Sequence, residues 1–141
     1  MAHTLFVLND PPYGTERAYN ALRLAGALSK REGEAVKVFL VGDGASCAKK
    51  DQKVPQGYYN IEVMLRAVSR RGGKIGVCGS CMDARGISDA ELTDGTHRSM
   101  LEQLTDWTQQ SRARRSDAHG HSGRWRWRTG RRQRAPALVT Q

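Results

Sequence analysis

Three short runs constrain this chain more than any other feature: "TLFVL" (residues 4–8), "AVKVFLV" (35–41) and "KIGVC" (74–78). Each is apolar and β-rich, and turn residues follow each one, in "NDPPYGT", "GDGAS" and "CGS". Helical periodicity fills the gaps. Ala18, Ala21, Leu22, Ala25 and Leu28 recur at helical spacing up to Gly33, with Thr15 as the expected cap. In residues 58–70, Ile61, Met64, Leu65 and Val68 fall on one face and "RGG" closes the helix. Strand–helix–strand–helix–strand with buried-looking strands predicts an α/β fold, a mainly parallel sheet with helices on both faces.

Residues 42–57 read as a long polar loop, and "SDAE" (88–91) as a capping box opening a short helix. Met100, Leu101, Leu104 and Trp107 stripe a last helix, on which His97 also falls. A sheet of three strands is thin, so a further strand is expected after that helix. The remaining sequence offers only "ALV" (137–139) for it, and the last strand reads as missing otherwise.

Charge divides the 141-residue chain in two. Residues 111–141 hold nine of the 23 basic side chains and one of the 14 acidic ones, leaving 14 and 13 in residues 1–110. The net charge of +9 therefore belongs almost wholly to the tail, and a basic balance says nothing about what the body binds. We read residues 1–110 as the domain and 111–141 as a disordered basic extension. Its arginines, interleaved with Trp125 and Trp127, suit a single-stranded nucleic acid, although an accidental extension needs no ligand. "MAHTLFVLND" has no basic leader region, and no run reaches the roughly 18 apolar residues of a membrane span, so neither export nor membrane insertion is expected. Three cysteines in an unexported chain read as reduced thiols rather than a disulfide framework.

Ligands of parallel α/β sheets sit beyond the carboxyl ends of the strands. Three loops meet there in this reading, "NDPPYGTE", "GDGASCAKK" and "CGSCMDARG", and two of them contain all three cysteines, Cys47, Cys78 and Cys81. Asn9, Asp10 and Tyr13 of the first loop are candidate pocket residues, with turn chemistry as the alternative. Backbone N–H groups of the "GSCMDARG" turn and Arg85 can favour a thiolate at Cys78, and Lys49, Lys50 and Lys53 follow Cys47 in sequence. Asp83 reads as a partner of Arg85. Gly42 and Gly44 alone are far from a dinucleotide fingerprint, so no cofactor is expected.

The strings "LFVLNDPPYGTERAYNALRLAGAL", "CAKKDQKVPQGYYNIEVML" and "RRGGKIGVCGSCMDARGI" together resemble the DsrE family of small sulfur-relay proteins, over about residues 1–108. The resemblance implies a flavodoxin-like fold, a trimeric or hexameric homo-oligomer, a cytoplasmic location, and sulfur donor and acceptor proteins as partners. It also implies that Cys78, at the end of the strand ahead of "RGI", accepts persulfide sulfur, while Cys47 and Cys81 carry over only as motif positions. The chain departs from the family pattern at about Gln109. Where relatives continue into a short acidic stretch and a closing strand, it enters the arginine-rich tail, which we read as a reading-frame change or a replaced tail.

Four readings of the cysteines remain open on the sequence. A sulfur carrier, a sulfurtransferase if active, would load Cys78 and use Cys81 or Cys47 to resolve or relay the sulfur. A thioredoxin-like redox pair requires the CxxC to open a helix with its first cysteine exposed. A metal site would need about four ligands, from Cys47, Cys78, Cys81 and His97, which a lone CxxC supports weakly. The last is an inert or structural role, within a non-catalytic oligomeric binding or redox-sensing protein.

Overall fold

The computed structural model describes residues 1–117 and 138–140. In chain order these form β1 (Ala2–Leu8), α1 (Arg17–Leu28), β2 (Glu34–Leu40), a 3-10 helix (Gly42–Ala48), α2 (Ile61–Arg70), β3 (Lys74–Cys78) and α3 (Gly79–Ala84). A one-turn 3-10 helix (Asp89–Glu91), β4 (Thr96–Ser99), α4 (Leu101–Asp117) and β5 (Leu138–Thr140) complete them. The strands make one sheet in the order β4-β3-β2-β1-β5, and every pairing is parallel. β1 and β2 pair over their whole length, from Ala2 opposite Glu34 to Leu8 opposite Leu40.

Strand side chains alternate between two faces. Phe6, Leu8, Val36, Val38, Leu40, Ile75 and Val77 meet Ala18, Leu22 and Ala25 of α1, Ile61, Leu65 and Val68 of α2, and Met82 of α3. On the other face Leu5, Val7 and Phe39 meet Trp107 of α4, whose ring stands edge-on to Phe39 at 6.0 Å. Lys37 lies on that thinner face, buried, its ammonium 5.6 Å over the Trp107 ring and hydrogen-bonded to Gln110. The result is the expected three-layer α/β sandwich of flavodoxin-like type, with α1, α2 and α3 on one side and α4 on the other.

Several elements differ from the sequence reading. Thr96–Ser99, His97 included, is a strand and not part of the last helix as expected. It is polar because it is a sheet edge, where only its pairing to β3 is demanded. The supposed polar loop begins as a 3-10 helix that buries Gly44, Ala45, Cys47 and Ala48, small residues that let it lie against the core. Thr15 does not cap α1: Glu16 holds that position and the Thr15 hydroxyl donates to Asp10. The α2 cap is Asn60, whose side chain accepts from the Val63 N–H at 3.1 Å. The capping box at Ser88 and Glu91 is present, around a single 3-10 turn. Met100 and Leu101 are exposed, so only Leu104 and Trp107 of the expected stripe face inward. A closing strand exists: Leu138–Thr140 pairs with β1, one residue along from the "ALV" segment. α4 continues past residue 110 to Asp117, and the part of the tail read as disordered, 118–137, lies outside the described residues.

One contact ties this frame to the loops above it. Gly44 donates to the Asn9 carbonyl at 3.1 Å, and a Cβ there would stand 2.2 Å from the Leu8 carbonyl oxygen. Only glycine permits that approach. Gly44→Ala is expected to lower the unfolding free energy by about 1–3 kcal/mol in denaturant titration, the usual cost of overpacking against backbone. A loss under a few tenths of a kcal/mol would show that the turn yields freely.

Candidate functional site

The chain leaves β1, β2 and β3 toward the same face and leaves β4 toward the other, into α4. The carboxyl ends of β3 and β4 therefore border a crevice, the kind of topological switch point where parallel α/β sheets hold their ligands. Cys78 ends β3 there, in register with Ser99 of β4. A cavity of about 330 Å³ opens beside it, lined chiefly by Phe39, Val41, Cys78, Ser99, Met100 and Leu104. Its walls are mostly apolar.

Cys78 is also the N-cap of α3, and Cys81 is the third residue of that helix. Burial pushes the Cys78 thiol up, but hydrogen bonds from the Cys81 thiol, the Ser80 hydroxyl at 3.2 Å and the backbone N–H groups of Cys81 and Ser80 outweigh it. Cys78 ends below the ordinary thiol value. Cys81 ends above it, through burial first and then through its bond to Cys78. The Gly42 N–H, donating to Cys81 Sγ at 3.1 Å, and the Arg85 charge pull the other way without prevailing. The pair is thus unequal: Cys78 ionises more readily than an ordinary thiol and Cys81 less readily, the Cys81 thiol donating to the Cys78 sulfur.

Two arginines hold α3 in place. Arg85 reaches Asp43 of the 3-10 helix at 2.9 Å and the Cys81 carbonyl at 3.1 Å, so Asp83 is not its partner as expected. Asp83 instead pairs with Arg98 of β4 at 2.9 Å, and Arg98 also bonds Asp89 and the Gly79 carbonyl. Sequence reasoning missed Arg98, since a charged residue on an unrecognised strand carries no signal of its partners. It also missed the cavity walls, because Val41 and Leu104 read as core.

The other expected residues lie around this centre rather than in it. Cys47 is fully buried, its thiol donating weakly to the Asp10 carbonyl at 3.5 Å, and burial pushes it up to about 12. The cationic help expected from Lys49, Lys50 and Lys53 is not among the causes of that value. Asp10 accepts from Thr15 and pairs with Arg17, and Asn9 meets the Gly44 turn through its carbonyl. Tyr13 donates to Gln52 at 2.6 Å, accepts from the Ile61 N–H and stacks near Tyr59. It faces a separate cavity of about 370 Å³, with Lys53, Pro55, Tyr58 and Tyr59. The three loops do converge, but Tyr13 and Cys78 line different openings. His97 sits in β4 and bonds Gln103 at 2.6 Å. Among the described residues no group of three or more His, Cys, Asp or Glu side chains is arranged to hold a metal ion, and no helix is long and apolar enough to cross a membrane.

Fold and site together define a small flavodoxin-like protein with an asymmetric dithiol at the switch point of its sheet. The chain belongs to the DsrE/DsrF-like family, whose model matches residues 2–113. Protein YchN of Escherichia coli is 37% identical over 109 residues, covering 77% of this chain and 92% of its own. The crystal structure of that E. coli protein superposes with a TM-score of 0.72. An uncharacterized protein of Methanopyrus kandleri is 37% identical over 105 residues, 74% of this chain and 85% of its own. A protein of unknown function from Methanobacterium thermoautotrophicum shares the fold at 13% identity, with a TM-score of 0.61 over 80% of this chain and 95% of its own.

The cysteines should separate by reactivity. Native alkylation by iodoacetamide is expected at Cys78 first, with a rate that rises through a midpoint below the ordinary thiol pKa of about 8.5. Cys81→Ala removes a donor to that sulfur and should move the midpoint to higher pH; an unchanged midpoint would refute the hydrogen bond as the cause. Cys47 gives a stability signature of opposite sign. Its native pKa of about 12 lies above the unfolded value, so the native state keeps a proton that the unfolded chain releases. Stability should therefore fall as pH rises above about 8.5, by up to ~1.4 kcal/mol per unit, and Cys47→Ala should flatten that slope.

Proposed function

We propose that this protein is a small sulfur-relay protein that accepts sulfane sulfur on Cys78 and passes it to an acceptor thiol. The observation that carries this reading is Cys78 itself: a half-buried thiol set below its ordinary value, at the end of β3, beside an open cavity. Membership of a family associated with sulfur relay supports it.

The chemistry asks little of the rest of the site. The Cys78 thiolate attacks the outer sulfur of a donor persulfide, and the donor thiolate leaves. An acceptor thiolate then attacks the outer sulfur on Cys78 and expels Cys78, whose lowered pKa makes it a better leaving group. No cofactor is called for. In this reading the partners are sulfur donor and acceptor proteins, the chain works as a trimeric or hexameric homo-oligomer, and the relay runs in the cytoplasm, where thiols stay reduced.

The opening of α3 by the CxxC favours a second reading, a redox-sensing or binding protein of the same fold whose cysteines only cycle between dithiol and disulfide. Intact-protein mass spectrometry after incubation with a persulfide donor separates the two. The relay predicts an adduct of one sulfur atom, held in Cys81→Ser, that is lost when Cys78→Ser is added and kept when Cys47→Ala is added. A protein that gains no sulfur even as Cys81→Ser, yet whose wild type cycles reversibly to a disulfide, would establish the redox reading instead.

A further inference from the structure

The two cysteines of the CxxC pack against core clusters on opposite faces of the sheet, and their thiols meet at its carboxyl edge. Cys78 packs with the cluster under α4 and borders the cavity there, whereas Cys81 packs against the cluster under α1 and α2. Cys81 is not among the described residues that line the cavity. Its sulfur accepts the Gly42 N–H at 3.1 Å, and its thiol hydrogen-bonds to the Cys78 sulfur. A second sulfur added to Cys78 therefore has its open space on the cavity side, away from Cys81.

That arrangement decides which sulfur Cys81 reaches. Displacement at a divalent sulfur runs in line, with the nucleophile opposite the leaving group, and the outcome depends on which sulfur is attacked. With the outer sulfur in the cavity and Cys81 on the other side, the aligned target is the inner sulfur, Cys78 Sγ. We propose that Cys81 is a resolving cysteine that discharges the Cys78 persulfide as sulfide, giving the protein a persulfide-reductase activity whenever no acceptor thiol occupies the cavity. This rests on the relay reading of Cys78 and adds a second fate for the sulfur.

The step balances without an external oxidant. The bond between Cys78 Sγ and the outer sulfur breaks, and a Cys78–Cys81 disulfide forms. The sulfane sulfur gains two electrons and the proton released by Cys81, leaving as hydrogen sulfide, while the two cysteine sulfurs are oxidised to the disulfide. Little movement is needed, since the thiols are already in contact as the N-cap and third residue of α3. Each further cycle requires a dithiol reductant to reopen the disulfide. An acceptor in the cavity competes by taking the outer sulfur directly, so acceptor supply sets the partition between relay and release.

The test loads the full-length protein with a persulfide donor, removes excess donor, and follows released sulfide and intact mass without reductant. The wild type should release about one sulfide per Cys78 persulfide and finish two hydrogens lighter than the unloaded dithiol, with a disulfide mapped to Cys78–Cys81. Cys81→Ser should hold its extra sulfur on Cys78 and release sulfide at least ~10-fold more slowly; Cys81→Ala should match it if the serine variant folds poorly. A wild type that keeps its sulfur as stably as Cys81→Ser, or that carries it on Cys81 by tandem mass spectrometry, overturns the resolving role and leaves the relay reading standing. Absence of any adduct on Cys78 in Cys81→Ser overturns the relay reading itself, and the inference falls with it.

Discussion

Everything at the active end of this molecule depends on where the sheet changes hands. Three successive connections pack on one face because right-handed crossovers between parallel strands, all stepping in one direction, place them there. The fourth must cross back from β4 to the far edge beside β1, so α4 covers the other face. The strands on either side of that reversal cannot both be roofed by the same layer. The crevice that results contains the end of β3, and the residue at the end of β3 is Cys78. The cavity beside it is a consequence of strand order before it is a consequence of any side chain.

Within that frame one residue type takes three characters from three surroundings. Cys47 lies in the main core, where its thiol donates to the Asp10 carbonyl and burial outweighs the backbone hydrogen bond that favours its anion, so the thiol stays protonated. Cys81 is less deeply placed, but its neighbour Cys78 competes for the same negative charge and wins, because the amide groups at the start of α3 and the Ser80 hydroxyl point at Cys78. Each unit of pKa separation is about 1.4 kcal/mol of differential interaction, the scale of one or two hydrogen bonds to an anion. The asymmetry therefore needs no buried cation, and of the lysines after Cys47, Lys49 pairs with Glu91 instead.

Legibility followed the strength of the local signal. β1, β2 and β3 are apolar because both their faces are covered, so their runs stood out, as did the buried stripes of α1 and α2. β4 did not stand out: an edge strand reading "THRS" satisfies its pairing through backbone alone. The 3-10 helix after β2 was hidden because glycine, serine and alanine read as a loop, whereas here small size is what allows Gly44 to touch β1. Cys78 was placed at a strand end and the three loops were brought together correctly, since strand ends follow from the runs. The partners of Asp83 and Arg85 were not, because nothing local in "MDARG" says that Arg98 will arrive from another strand.

A helix as small as α3 can organise a thiol only with help from its surroundings. α3 has six residues, too few to persist alone, so its amide groups are aimed at Cys78 only while tertiary contacts hold it. Met82 and Ile87 anchor it in the core, while Arg98 binds the Gly79 carbonyl and Asp83, and Arg85 ties the Cys81 carbonyl to Asp43. Exposed ion pairs of this kind add little to global stability. Their effect is positional. The helix spends core burial to stay in place and surface charge to stay in register, and the orientation so fixed is what lowers the Cys78 thiol, raises that of Cys81, and packs the two cysteines against opposite faces of one sheet.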